Sequence, residues 1–100
     1  GDPKTLRDTA DELKSKLGSA VVCLGGDNGG KAAVLVAVTA DLVPRLNANA
    51  LIREVASHIG GKGGGRPDLA QAGGPSVDKL GTAVAAIYEA VAYALGEKGS

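Results

Sequence analysis

The chain has 100 residues, 44% of them apolar, and its 11 basic residues balance 11 acidic ones. That length suits one domain with a modest core, and the apolar content excludes a disordered chain. A strong stand-alone nucleic-acid binder is usually basic, so in this neutral chain any such binding must come from a local patch.

The apolar residues are Ala, Val, Leu and Ile, with no Phe, Trp or Met. Side chains this small bring helices and sheet close together. No apolar run approaches the roughly 20 residues of a membrane span. Gly1 to Leu6 lacks the apolar stretch of a signal peptide. The expectation is a cytoplasmic protein with no membrane partner. The single cysteine, Cys23, excludes an internal disulfide and a cysteine-rich zinc site. Within Val21-Val22-Cys23-Leu24 it reads as a small buried residue of a strand.

Leu6, Ala10, Leu13 and Leu17 recur at spacings of 4, 3 and 4, which predicts a helix from about Pro3 to Leu17. Asp2 is a candidate cap, Pro3 suits the first turn, and Gly18 ends the helix at a left-handed position. So narrow a stripe suggests the seam of a helix pair. Residues 1–18 are therefore expected to be the end of a longer upstream helix, 19–96 the globular domain and 97–100 a tail.

Ser19–Gly25 and Lys31–Thr39 are rich in Val and Ala and flank Gly25-Gly26-Asp27-Asn28-Gly29-Gly30. That pattern predicts a β-hairpin. The runs are nearly continuous, so both faces of the sheet are expected to be covered. Ala40 to Leu46, interrupted by Pro44, is a connection. Asn47 or Asn49 caps a second helix to about Ile59, with Leu51, Ile52, Val55, Ala56 and Ile59 on one arc. A glycine-rich loop follows, and Leu69–Ala72 reads as a short strand. Ser76 caps a last helix to about Leu95. Its inner stripe is Leu80, Val84, Ile87, Val91 and Leu95, widened by Ala83, Ala86, Ala90 and Ala94. Tyr93 falls on the opposite side, exposed. The fold class is α/β, a small single domain in the order helix–β-hairpin–helix–glycine-rich loop–short strand–helix, its sheet covered by helices.

Of the fifteen residues from Gly60 to Gly74, seven are glycine. Glycine loses the most backbone freedom on folding, so such a cluster calls for a reason. A run of backbone N–H groups can form an anion-binding nest. Lys62 and Arg66 would add positive charge at its rim, and Arg66 can bind phosphate with two prongs. Gly73-Gly74 would open the last helix, whose N-terminus favours anions. The candidate nucleic-acid contacts are Lys62, Gly63, Gly64, Gly65, Arg66, Gly73 and Gly74, with His58 and Tyr93 as weaker ones. The segment is not a Walker loop, because Lys62 is followed by Gly63 and no hydroxyl. It is not a dinucleotide fingerprint, because it follows a helix. One His, one Cys and a lone Asp68 near the glycines supply neither an acid–base pair nor a metal site.

The run His58-Ile59-Gly60-Gly61-Lys62-Gly63-Gly64-Gly65-Arg66-Pro67-Asp68-Leu69-Ala70-Gln71-Ala72-Gly73-Gly74 resembles the signature of the C-terminal, DHHA1-type domain of bacterial alanyl-tRNA synthetases. The strand Ala20–Leu24 and Thr39-Ala40-Asp41-Leu42 are also similar, so the resemblance spans about Leu6 to Leu95. The same domain type follows the catalytic domain of DHH phosphoesterases, where a histidine usually succeeds the three glycines. Arg66 stands there in this chain, which favours the synthetase. The resemblance implies a domain that binds the elbow of alanine tRNA and helps the aminoacylation and editing domains share one tRNA. It implies a homodimer in some members. ATP, magnesium and zinc would belong to upstream domains, and no cofactor or catalytic activity is expected in this chain. The rival readings are the substrate-binding domain of a phosphoesterase and a pure dimerisation or interaction module. The near absence of aromatics argues against stacking on single strands and for recognition of a folded RNA by its backbone.

Overall fold

The computed structural model describes residues 3–94. The order is α1 (Pro3–Leu17), β1 (Val21–Asn28), β2 (Lys31–Val38), α2 (Ala48–His58), β3 (Lys62–Gly65), β4 (Leu69–Gly74), a 3₁₀ turn (Val77–Lys79) and α3 (Leu80–Ala94). One antiparallel sheet runs β1-β2-β4-β3. The expected α/β order holds.

β2 lies in the middle of the sheet. After exposed Lys31, all seven residues from Ala32 to Val38 are buried. Side chains alternate across a strand, so β2 feeds two cores. Val34, Val36 and Val38 pack with Ile52, Val55 and Ile59 of the α2 segment and with Ala83 and Ile87 of α3. Leu35 and Ala37 pack on the other face with Val22 and Ala10, flanked by Leu6, Leu13, Leu24 and Leu69. Leu6, Ala10 and Leu13 of the α1 stripe are thus seated on the sheet, rather than forming the seam of a helix pair.

Three local expectations are corrected. β1 runs on to Asn28, and the hairpin turn is only Gly29-Gly30, with φ of 63° and 89°. Two successive positive φ values are what a two-residue turn needs to match the twist of its strands. The Gly25–Gly26 pair is therefore strand, not turn. Ser76 makes no side-chain cap, and the chain passes through the 3₁₀ turn before α3 begins at Leu80. The glycine-rich loop contains a fourth strand, β3, at the edge of the sheet. Asn47 does cap α2, its side chain accepting from the Ala50 amide at 3.1 Å. Asp2 and Leu95 lie outside the described residues.

Cys23 is partly covered by the larger core, and burial pushes its thiol up to about 11. The thiol therefore stays protonated and poorly nucleophilic. Asp41 ties the chain ends of β1 and β2 together. Its carboxylate accepts from the Ser19 hydroxyl and from the Thr39 hydroxyl at 2.6 Å, while Thr39 Oγ1 accepts from the Ala20 amide at 3.1 Å.

Removing the centre of the smaller core is expected to be costly. Leu35 is 0% exposed, and Leu35→Ala should lower unfolding free energy by about 2–5 kcal/mol in urea titration. The Asp41 clamp should appear in the acid limb of stability. The Ser19 hydroxyl first, then the Thr39 hydroxyl, hold this carboxyl below its ordinary value. The unfolded chain therefore takes up the proton at higher pH than the folded one. The contribution is whole above the unfolded carboxylate range and fades as pH falls through the lowered value. Between about pH 6 and pH 3, Asp41→Asn should lose stability less steeply than the parent chain, read as urea midpoints.

Candidate nucleic-acid interface

The segment from Gly60 to Gly74 folds as an edge hairpin. β3 and β4 pair in the register Lys62↔Gly73, Gly63↔Ala72, Gly64↔Gln71 and Gly65↔Ala70. Four hydrogen bonds hold the tip. The Arg66 amide donates to Leu69 O at 2.9 Å, the Ala48 amide to Pro67 O at 2.8 Å and the Val38 amide to Asp68 O at 2.8 Å. The Gly65 amide donates to Asn49 Oδ1 at 3.2 Å. Proline after Arg66 supplies the fixed φ that such a turn favours.

The amides do not form a cup. Gly61 donates to Ala56 O at 3.0 Å, and Gly65 and Arg66 are engaged as above. Between them an antiparallel ladder turns alternate amides toward β4. A nest needs successive amides converging on one point, and strand geometry prevents that. Nor do Gly73-Gly74 open a helix, since they end β4.

Most of these glycines have an internal reason. A Cβ on Gly61 would lie 1.8 Å from Gly73 O, and one on Gly74 2.3 Å from Ile59 O. A Cβ on Gly63 would lie 2.5 Å from Ala72 Cβ, and one on Gly65 2.5 Å from Leu69 O. The two backbones approach too closely for side chains. Gly64 and Gly73 differ. Their nearest neighbours would be Asn49 Oδ1 at 3.4 Å and Ala32 O at 3.6 Å, which is ordinary contact. Packing does not demand glycine at these two positions.

Cross-strand pairs share a face. Gln71 lies beside Leu35, and Gly73 beside Ala33. Leu35 belongs to the face that α1 covers, so Gln71, Gly73, Gly64 and Lys62 form a continuation of that face. α1 packs mainly on β1 and β2, and its Leu6, Arg7 and Asp11 border the recesses over this strip. Two recesses run along it. One, of about 580 Å³, is lined by Leu6, Lys31, Lys62, Gln71 and Gly73 among others. The next is lined by Arg7, Asp11, Gly64, Gly65, Arg66 and Gln71 among others. The result is a shallow floor of backbone with Lys31 and Lys62 at one end and Arg7 and Arg66 at the other. Asp11 and Asp68 offset part of that charge, and Asp68 pairs with Arg66 at 3.4 Å.

The structure therefore brings Lys62, Gly64, Gly65, Arg66, Gly73 and Gly74 to the lining of the two recesses, while Gly63 lines neither and pairs with Ala72 of the larger core. It places His58 and Tyr93 elsewhere, in a groove between α2 and α3 shared with Glu54 and Glu89. Two carboxylates make that groove a poor seat for phosphate. Tyr93 is 74% exposed, as its helical position implied. Lys31, Arg7 and Gln71 are additions. Lys31 and Arg7 are distant in sequence and reach the strip only through the sheet and α1. Gln71 was within reach, as the one polar residue of an otherwise apolar or glycine strand. Among the described residues, no group of three or more His, Cys, Asp or Glu could hold a metal, and no helix is long and apolar enough to cross a membrane.

Residues 1–93 match the DHHA1 domain. The chain belongs to the DHHA1 domain family. Within that family it is similar to alanine–tRNA ligases. It is 50% identical over 95 residues to the enzyme of Anaeromyxobacter dehalogenans, 48% over 91 residues to that of Myxococcus xanthus and 54% over 83 residues to that of Desulfosudis oleivorans. These matches cover 95%, 90% and 83% of the chain, which spans about a tenth of each ligase. The fold matches the C-Ala domain of Aquifex aeolicus alanyl-tRNA synthetase with a TM-score of 0.82 and 37% identity, over 89% of this chain and 80% of that one. The DHHA1 architecture is thus the expected small α/β domain, in its alanyl-tRNA synthetase form.

The steric reading of the glycines can be checked by stability alone. Gly63→Ala should cost about 1–3 kcal/mol, because backbone must move to admit the methyl group. Gly73→Ala should change stability by less than about 1 kcal/mol, since the methyl group has room and shortens the unfolded chain's freedom. Urea titration of the two variants side by side distinguishes them.

Proposed function

We propose that this DHHA1 domain holds the folded elbow of alanine tRNA against the open β3–β4 strip. The observation that carries the reading is Gly64 and Gly73, two glycines that packing does not require, on a floor rimmed by Lys31, Lys62, Arg7 and Arg66. A flat backbone floor lets an RNA surface approach closely, and the cations meet its phosphates. The floor carries no aromatic side chain, so base stacking on single strands is not its mode. Shape and backbone recognition of folded RNA fits better. The likeness to alanine–tRNA ligases supplies the tRNA.

In a parent ligase the domain would help the aminoacylation and editing domains share one tRNA, and those domains would be its further partners. It carries no catalytic step itself and takes no cofactor; ATP, magnesium and zinc chemistry would reside upstream. Its setting would be the cytoplasm. With two to four phosphate contacts on a neutral domain, isolated affinity is modest. Tethering raises the effective concentration to the order of mM, where a weak grip suffices to hold a tRNA while its acceptor end moves.

The phosphoesterase reading is disfavoured by Arg66 in the histidine position. The interaction-module reading has one observation in its favour: α3 exposes Tyr88 and Tyr93, the exposed large hydrophobics among the described residues.

The chain should bind transcribed alanine tRNA more tightly than an unstructured RNA of equal length. Lys62→Ala and Arg66→Ala should each weaken binding at unchanged melting temperature. Each should also reduce the slope of log affinity against log salt by roughly 0.7–0.9. Gly73→Val should leave the fold intact and block the floor. A double Lys62→Ala, Arg66→Ala variant that binds like the parent chain sinks the reading.

A further inference from the structure

Arg66 stands at the tip of the hairpin, and its side chain is 71% exposed. An arginine in that position is ordinarily free to sample many rotamers. This one has a partner that favours one placement: its Nε lies 3.4 Å from Asp68 Oδ1. The contact uses the inner edge of the guanidinium and leaves both terminal nitrogens available for a planar, two-pronged bond. Asp68 is itself firmly placed. Its carbonyl accepts from the Val38 amide of the central strand, and the turn that carries it is closed by the Arg66 amide on Leu69 O. The adjacent Pro67 carbonyl accepts from the first amide of α2. The carboxylate therefore projects from a turn pinned to both the sheet and a helix.

An ion pair this open to solvent contributes little to folding. It also places a negative charge within the proposed phosphate-binding strip, which by long-range electrostatics alone is unfavourable. An acid in that place needs a local reason.

We propose that Asp68 is a positioning residue that holds Arg66 extended across the end of the strip, ready for an RNA phosphate. This rests on the reading of the strip as an RNA-binding surface. The benefit is a side chain whose freedom is already reduced before the RNA arrives, which lowers the ordering cost of binding. The prediction differs in sign from simple charge counting. Removing a carboxylate should tighten RNA binding if Asp68 acts only as a charge, and should weaken it if Asp68 orients Arg66.

The test uses the 100-residue chain and transcribed alanine tRNA, in four forms: parent, Asp68→Asn, Arg66→Ala and the double variant. Asparagine keeps the turn's shape and removes the charge. Asp68→Asn should lower tRNA affinity by roughly three- to tenfold, the scale of immobilising one long side chain, with melting temperature unchanged. In the Arg66→Ala background the same substitution should have no weakening effect. Asp68→Asn that binds tRNA equally well or more tightly, while Arg66→Ala binds less well, overturns the positioning role and leaves the strip intact. Arg66→Ala that binds like the parent chain overturns the positioning role, and the strip reading falls with it if the double Lys62→Ala, Arg66→Ala variant also binds like the parent chain.

Discussion

The central strand β2 is buried on both faces along seven consecutive residues, and every other element is placed by that fact. Valines 34, 36 and 38 demand cover from one side, and α2 and α3 supply it. Leu35 and Ala37 demand cover from the other, and α1 supplies it over β1 and β2, with Leu69 at the start of β4 on its margin. The far half of that second face, on β4 and β3, stays open. The candidate interface is this uncovered remainder. It lies on a rigid sheet because the residues opposite it are core.

The β3–β4 hairpin contributes to the strip by what it lacks. Its backbones are so close that Gly61, Gly63, Gly65 and Gly74 cannot carry a Cβ. Close approach within the protein and close approach to a ligand select the same residue type, so composition could not separate them. Once these four are assigned to packing and Gly60 to its φ of 70° at the end of α2, Gly64 and Gly73 remain as positions where a side chain would fit. The candidate surface is thereby reduced from a whole glycine run to two residues and a rim of cations drawn from α1, β2, β3 and the hairpin tip.

The charge balance limits what the strip can do at a distance. Its net charge is zero, so it exerts little long-range attraction on RNA. What it offers is a local arrangement, in which Arg66 pairs with Asp68 at the hairpin tip. On the proposed reading such a surface would gain more from geometry than from charge, most of all where a tether keeps an RNA near. The chain spans about a tenth of the alanine–tRNA ligases it resembles.

Much of the fold was legible in the chain itself. The 3.6-residue stripe of α1, the Asn47 cap, the arc of α2 and the continuous apolar run of β2 each follow from local periodicity, because each element buries one predictable side. The order of elements and the DHHA1 resemblance were legible for the same reason, since both are written in contiguous residues. The strand nature of Lys62–Gly65 was not. Glycine carries no β propensity, and only pairing with β4 makes it a strand. The true start of α3, the seating of α1 on the sheet and the approach of Lys31 and Arg7 to Lys62 and Arg66 likewise belong to tertiary structure. They depend on backbone contacts and on residues far apart in the chain, which no local pattern encodes.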